Sequence, residues 1–225
     1  ISSVFALASI LILSRMKETL PPTMKSRLKL SLFRIGWKDV FEPKIIPVFW
    51  IMLFVSFSAG AMITLIPDTS KIVGWTNKGL YFTIYTVSSI VIRFFFSKAS
   101  DQYGRIPVLI FGCFMLSLSM FLLVFSANSY LMIISAIIYG VAWGFNTPTL
   151  AAWTNDLGDK NHMGRAMATM YIALEAGIGI GAYVSGEIYQ GIPNHIPIPF
   201  LIAGLLSLLA FLLLWKKKQA WTYGI

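Results

Sequence analysis

Six apolar runs, each bounded by polar or charged residues, constrain this 225-residue chain more than any other feature. They are Ile45–Ile66, Gly79–Phe96, Ile106–Ser126, Tyr130–Ala152, Ala166–Tyr189 and Ile198–Trp215. As helices rising about 1.5 Å per residue, each is long enough to cross a hydrocarbon core of about 30 Å. Backbone amides find no water there, so helix is the expected conformation throughout. The chain is 57% hydrophobic and 12% charged, against about 25% charged in soluble domains. These values exclude a water-soluble core and predict an all-α, multi-pass membrane protein with the lipid bilayer as its first partner.

The net charge of +9 could suggest nucleic acid, but its distribution excludes that partner. Arg15, Lys17, Lys25, Arg27, Lys29, Arg34, Lys38 and Lys44 precede the first complete run. Lys98 and Arg105 follow the second, Lys160 and Arg165 the fourth, and Lys216, Lys217 and Lys218 the sixth. If the six spans alternate, all of these fall on one side, and only Lys71 and Lys78 fall on the other. The positive-inside rule makes the basic side, with the C-terminus, cytoplasmic in a plasma or inner membrane.

Three segments are expected. Ile1–Leu13 is apolar but shorter than the about 20 residues of a full span, and Arg15 and Lys17 follow it directly, so residues 1–14 read as the end of a truncated spanning helix. Residues 15–44 form a basic cytoplasmic segment, and residues 45–225 a six-helix domain. Within the basic segment, Leu28, Leu32 and Ile35 recur at helical spacing, which fits either a short amphipathic helix on the inner leaflet or a solvated linker. Three spans, a short link at Ala127–Ser129 and three more spans suggest a 3+3 inverted repeat. No sequence self-similarity is strong enough to show it. One buried-looking thiol, Cys113, can form neither a disulfide within the chain nor a metal site.

The polar turn Ser97-Lys-Ala-Ser-Asp101-Gln-Tyr-Gly104-Arg105-Ile106 resembles the G-x-x-x-D-R-x-G-R-[RK] loop of the major facilitator superfamily. Asp101, Gly104 and Arg105 are in register, while Ser97, Gln102 and Ile106 depart from the pattern. The resemblance continues through Glu18-Thr-Leu-Pro21, Gly140-Val-Ala-Trp-Gly144, Pro148, Asp156, Gly164-Arg165-Ala166 and Glu175-Ala-Gly177-Ile-Gly-Ile-Gly181. It implies the end of helix six plus helices seven to twelve of such a carrier, one six-helix half whose N-terminal counterpart is missing here. It also implies alternating access and an ion gradient, with protons as the coupling ion and a small molecule as substrate. The loop pattern and E-T-L-P look more like drug and metabolite exporters than sugar porters. A nutrient symporter and a non-transporting sensor or scaffold remain open as alternatives.

Several residues are candidates for function. Asp101, Gly104 and Arg105 suit either a latch between the two halves or a loop that only retains the basic side. Glu175, near the middle of the fifth run, must be paired, protonated or facing water; it fits proton coupling, substrate contact or a structural hydrogen bond. Arg93 lies one turn from the end of the second run, where it can snorkel or pair with a carboxylate of the other half. Tyr139, Trp143 and Asn146 share one helix face, suited to a solute cavity or to packing, and Asn146 and Pro148 mark an expected kink. Gly140/Gly144 and Gly177/Gly181 are small-xxx-small pairs for close helix contact. No catalytic dyad, phosphate loop or Cys/His cluster is present in the sequence, so neither an enzyme nor a metal or other cofactor is expected.

Overall fold

The computed structural model describes residues 9–10, 40–96, 98–125, 128–160 and 162–223, with side chains up to residue 217. The chain divides into two units, Ile1–Gly36 and Trp37–Ile225. In the first, residues 9–10 are helical. The amphipathic helix expected around Leu28, Leu32 and Ile35 lies outside the described residues, as does most of the truncated span.

The second unit is a bundle of six long helices: α1 (Ile46–Ile72), α2 (Leu80–Phe96), α3 (Arg105–Val124), α4 (Ser129–Leu157), α5 (Met163–Tyr189) and α6 (Pro197–Tyr223). A single helical turn, Ala99–Gln102, links α2 to α3, and 3-10 turns at Pro43–Ile45 and Pro193–His195 lead into α1 and α6. Five of the six are long and apolar enough to cross a membrane. The sixth, α2, is an apolar helix described over 17 residues. The polar turn that follows it ends at Gly104, whose φ of +87° is a backbone state that a Cβ disfavours. Pro148, where a kink is expected, lies inside α4, which continues as helix to Leu157.

The packing has a simple logic. α1 lies against α5 and α6, α4 against α2 and α3, and α3 against α6. Exchanging α1 with α4, α2 with α5 and α3 with α6 returns the same set of contacts. That is the relation of a 3+3 repeat, inverted because α1 and α4 run in opposite directions. Buried hydroxyls join the layers. Tyr81 on α2 and Ser119 on α3 each lie 3.1 Å from the Ser135 hydroxyl on α4, and Ser117 donates to the Gly204 carbonyl of α6 at 2.9 Å. The Trp75 indole, beyond α1, donates to Ser129 at the start of α4.

Two crossings are far closer than the rest, and glycine makes both. On α5, Thr169, Ala173, Gly177, Gly181 and Ser185 are buried at successive i+4 positions and lie along α1. A Cβ on Gly177 would stand 2.6 Å from the Leu53 carbonyl oxygen, and one on Gly181 would strike the Phe57 carbonyl. Gly60 of α1 faces the Ile178 carbonyl in the same way. On α4, Gly140 meets the Tyr85 carbonyl and Ser88, and Gly144 meets Ile92 and the Ser89 carbonyl of α2. In a bilayer, lipid is as apolar as leucine, so such close approach has to supply much of the helix association.

Gly177→Val should therefore destabilise the protein at or beyond the upper end of the about 1–3 kcal/mol typical of overpacked cores. Gly179→Ala, whose Cβ meets nothing within 4 Å, should leave the unfolding temperature near that of the parent. Thermal unfolding of the two variants in detergent checks the contrast.

Candidate functional site

Two arginines organise the basic face. Arg105 begins α3, and its Nε donates to Asp156 Oδ2 at 2.7 Å across to the end of α4. Its Nη1 reaches the Ser100 hydroxyl at 2.8 Å and forms an ion pair with Asp101. One guanidinium thus holds two carboxylates and the preceding turn. Gly104 makes this possible by reversing the chain between Asp101 and Arg105. The expectation placed the partner of Asp101 beyond this chain; in the structure its partner is Arg105, four residues on, while its side chain stays 62% exposed. Asp156 was visible as part of a motif, but nothing in the sequence paired it with Arg105 over 51 positions.

The second arginine, Arg165, begins α5 and grips Glu42, its Nε donating to Oε2 at 2.9 Å and its Nη2 forming a second contact. The Glu42 amide donates to the Thr169 hydroxyl, also at 2.9 Å. Glu42 is a residue that sequence reasoning missed. The signal was there: an acid beside Pro43, at the head of a long apolar run in a strongly basic segment. Its side chain is only 3% exposed. The Arg165 guanidinium holds its carboxyl below the usual carboxylate range, against the opposing effect of burial.

These two clusters differ in what they are worth. Exposed ion pairs contribute about 0–1 kcal/mol each, so the Arg105 cluster positions the turn yet opens at little cost. A carboxylate whose side chain is 3% exposed has little water to fall back on. Glu42–Arg165 is therefore the firmer clasp, between the starts of α1 and α5. The Lys217 ammonium near the end of α6 lies 4.8 Å from the centre of the Trp153 ring near the end of α4. Together these contacts bring the starts of α1, α3 and α5 and the ends of α4 and α6 to one face, as the alternating charges predict.

Glu175 stands next to the centre of α5, on the side opposite the glycine seam. It is exposed, as are Tyr171, Gly179, Tyr183 and Glu187 at successive i+4 steps. No hydrogen bond or ion pair engages it among the described residues. Arg93 is likewise exposed and lines a 190 Å³ cavity with Ser100, Gly144, Pro148 and Thr149.

Tyr139, Trp143 and Asn146 are divided by the structure. Tyr139 is 1% exposed, stacked on Trp143 at 5.9 Å and edge-on to Tyr85 of α2 at 5.5 Å. Asn146 is fully buried beside Gly112 of α3, where a Cβ would strike its amide. Both side chains are turned into the bundle, and Gly112 leaves room for the Asn146 amide. Trp143 alone is partly exposed, so the three do not form one open face.

Residues 48–220 match the sequence profile of the Major Facilitator Superfamily. An MFS-type transporter of Methanocaldococcus jannaschii is 25% identical over 175 residues, covering 76% of this chain and 45% of that protein. The quinolone resistance protein NorA of Staphylococcus aureus is 24% identical over 184 residues, covering 79% of this chain and 47% of its own length. The chain thus spans about half the length of the curated relatives it matches.

Arg165→Ala should lower stability more than Arg105→Ala does, when thermal unfolding is compared at neutral pH. The sign of the pH effect follows from the lowered Glu42 value. The stabilisation is complete above the ordinary value of 4.5 and is lost as pH falls through the lower native value. Acid titration of stability should show this loss in the parent and not in Glu42→Gln.

Proposed function

The chain belongs to the major facilitator superfamily, and on that premise we propose that it is the C-terminal six-helix half of a proton-coupled exporter of a small organic solute. The observation that carries this reading is Glu175, exposed at the centre of a membrane-length helix and unpaired among the described residues. A carboxylate at the bilayer centre costs about 2.5–3.5 kcal/mol on insertion scales. The cost is avoided if that side of α5 faces a water-filled path or the other half rather than lipid. A path that opened to either side in turn would give a carboxylate at this position access to both aqueous phases. That is the requirement for coupling proton flow to alternating access.

The tight α1·α5 and α2·α4 crossings support rigid-body rocking, since each joined pair moves as one piece. The Arg105 cluster supports a latch on the same side, because its exposed pairs break at little cost. By the positive-inside rule this basic face is cytoplasmic. Trp143 and Arg93 are the residues of this half proposed to meet the solute, the first by its ring and the second through an anionic group. The name of one relative, a quinolone resistance protein, supports export.

The test is flux in vesicles holding the full-length protein. Glu175→Gln should abolish uptake driven by an imposed proton gradient while exchange of solute down its own gradient persists. Unchanged proton-driven uptake in that variant rejects the coupling role. Asp101→Asn should slow transport with normal membrane insertion; full transport by that variant rejects the latch.

A further inference from the structure

An apolar cavity of about 440 Å³ opens between α1 and α6 at the basic face. Its walls are Pro47, Trp50 and Phe54 of α1, Trp153 of α4, and Leu213 and Lys217 of α6. Neither the transport reading nor the Arg105 and Arg165 clusters use it. We propose that it is a binding site for an anionic phospholipid of the leaflet on the basic side.

Three observations identify this occupant. First, the groove is continuous with the outer surface of α6. That surface is aliphatic, with Leu201, Leu205, Leu209 and Leu212 each more than 40% exposed. Such a surface has no polar requirement to meet and suits acyl chains. The outward side of α5, with Glu175 and Glu187, differs in kind. Second, the single charge among the lining residues is a cation. Lys217 lies over the Trp153 ring, and no carboxylate pairs with it among the described residues. A ring face leaves an ammonium unneutralised and its donors available to phosphate oxygens. Third, the mouth is basic. Lys44 precedes Pro47 by one turn, and Lys216 adjoins Lys217, both exposed. The acids closest in sequence to the lining residues, Asp156 and Glu42, are held by Arg105 and Arg165. Basic pockets at helix ends on this side of a membrane recognise anionic headgroups. Trp50, half exposed at the same level, has the amphipathic ring favoured at the interface. The phosphate is assigned to Lys217, assisted by Lys44 and Lys216, and one acyl chain to the channel between Trp50, Phe54 and Leu213.

The full-length protein in phosphatidylcholine vesicles doped with brominated phosphatidylglycerol, or with brominated phosphatidylcholine, tests this. Bromine quenches adjacent indoles, and the share due to the groove is the quenching lost on Trp50→Phe. Brominated phosphatidylglycerol should quench that share at lower mole fraction than brominated phosphatidylcholine. Lys217→Gln should reduce the preference about fivefold, while Lys217→Arg should retain it. Equal quenching by the two lipids, or a preference that survives in the Lys217→Gln, Lys44→Gln double variant, overturns the proposal. Quenching by neither lipid overturns it too, since a protein segment then covers the groove.

Discussion

Close approach of helix backbones at small residues is the constraint on which the rest of this bundle depends. Apolar side chains gain little by leaving lipid for one another, so a stripe of leucine cannot select a neighbour. Gly177 and Gly181 bring α5 onto the carbonyls of α1, and Gly140 and Gly144 bring α4 onto those of α2. Those two contacts fix which side of α5 is sealed, and hence that Glu175 is turned away from the bundle. They also set the level at which the starts of α1 and α5 meet, which is where Glu42 finds Arg165.

The basic face follows the same economy. A buried carboxylate and its arginine bind the two most intimately packed helices to each other, where nothing has to move within this half. The exposed cluster around Arg105 joins α2, α3 and α4 through a turn that solvent can reach. Strength and accessibility are thus divided by the burial of the acids, Glu42 against Asp101 and Asp156, although both arginines stand at the start of a helix.

Much of this architecture was legible in the sequence, and the boundary of what was legible is itself physical. The apolar runs and the clustered lysines and arginines anticipated the long helices and their shared basic face, because length and charge are properties of a segment by itself. The glycine pairs announced close contact for the same reason. Partner identity was not legible: Glu42 and Arg165 are 123 positions apart, and only the packing of α1 on α5 joins them. The 3+3 repeat was suggested by span spacing, but no self-similarity in the sequence shows it. The tight seam lies on α5 in one crossing and on α4 in the other, which the repeat does not relate, so topology is symmetric while the glycines are not. Tyr139 and Asn146 show a further limit. Helical spacing places them on one side of α4, but the room left by Gly112 and by the α2·α4 crossing decides that this side is buried.

The meeting of Tyr81, Ser119 and Ser135 has a consequence for how such a sequence can change. The three hydroxyls come from three helices and share one buried polar centre. Replacing Ser135 alone takes a partner from both of the others, which costs more than exchanging all three for apolar groups of the same shape. The three positions therefore form one unit of variation, able to change together more easily than one at a time.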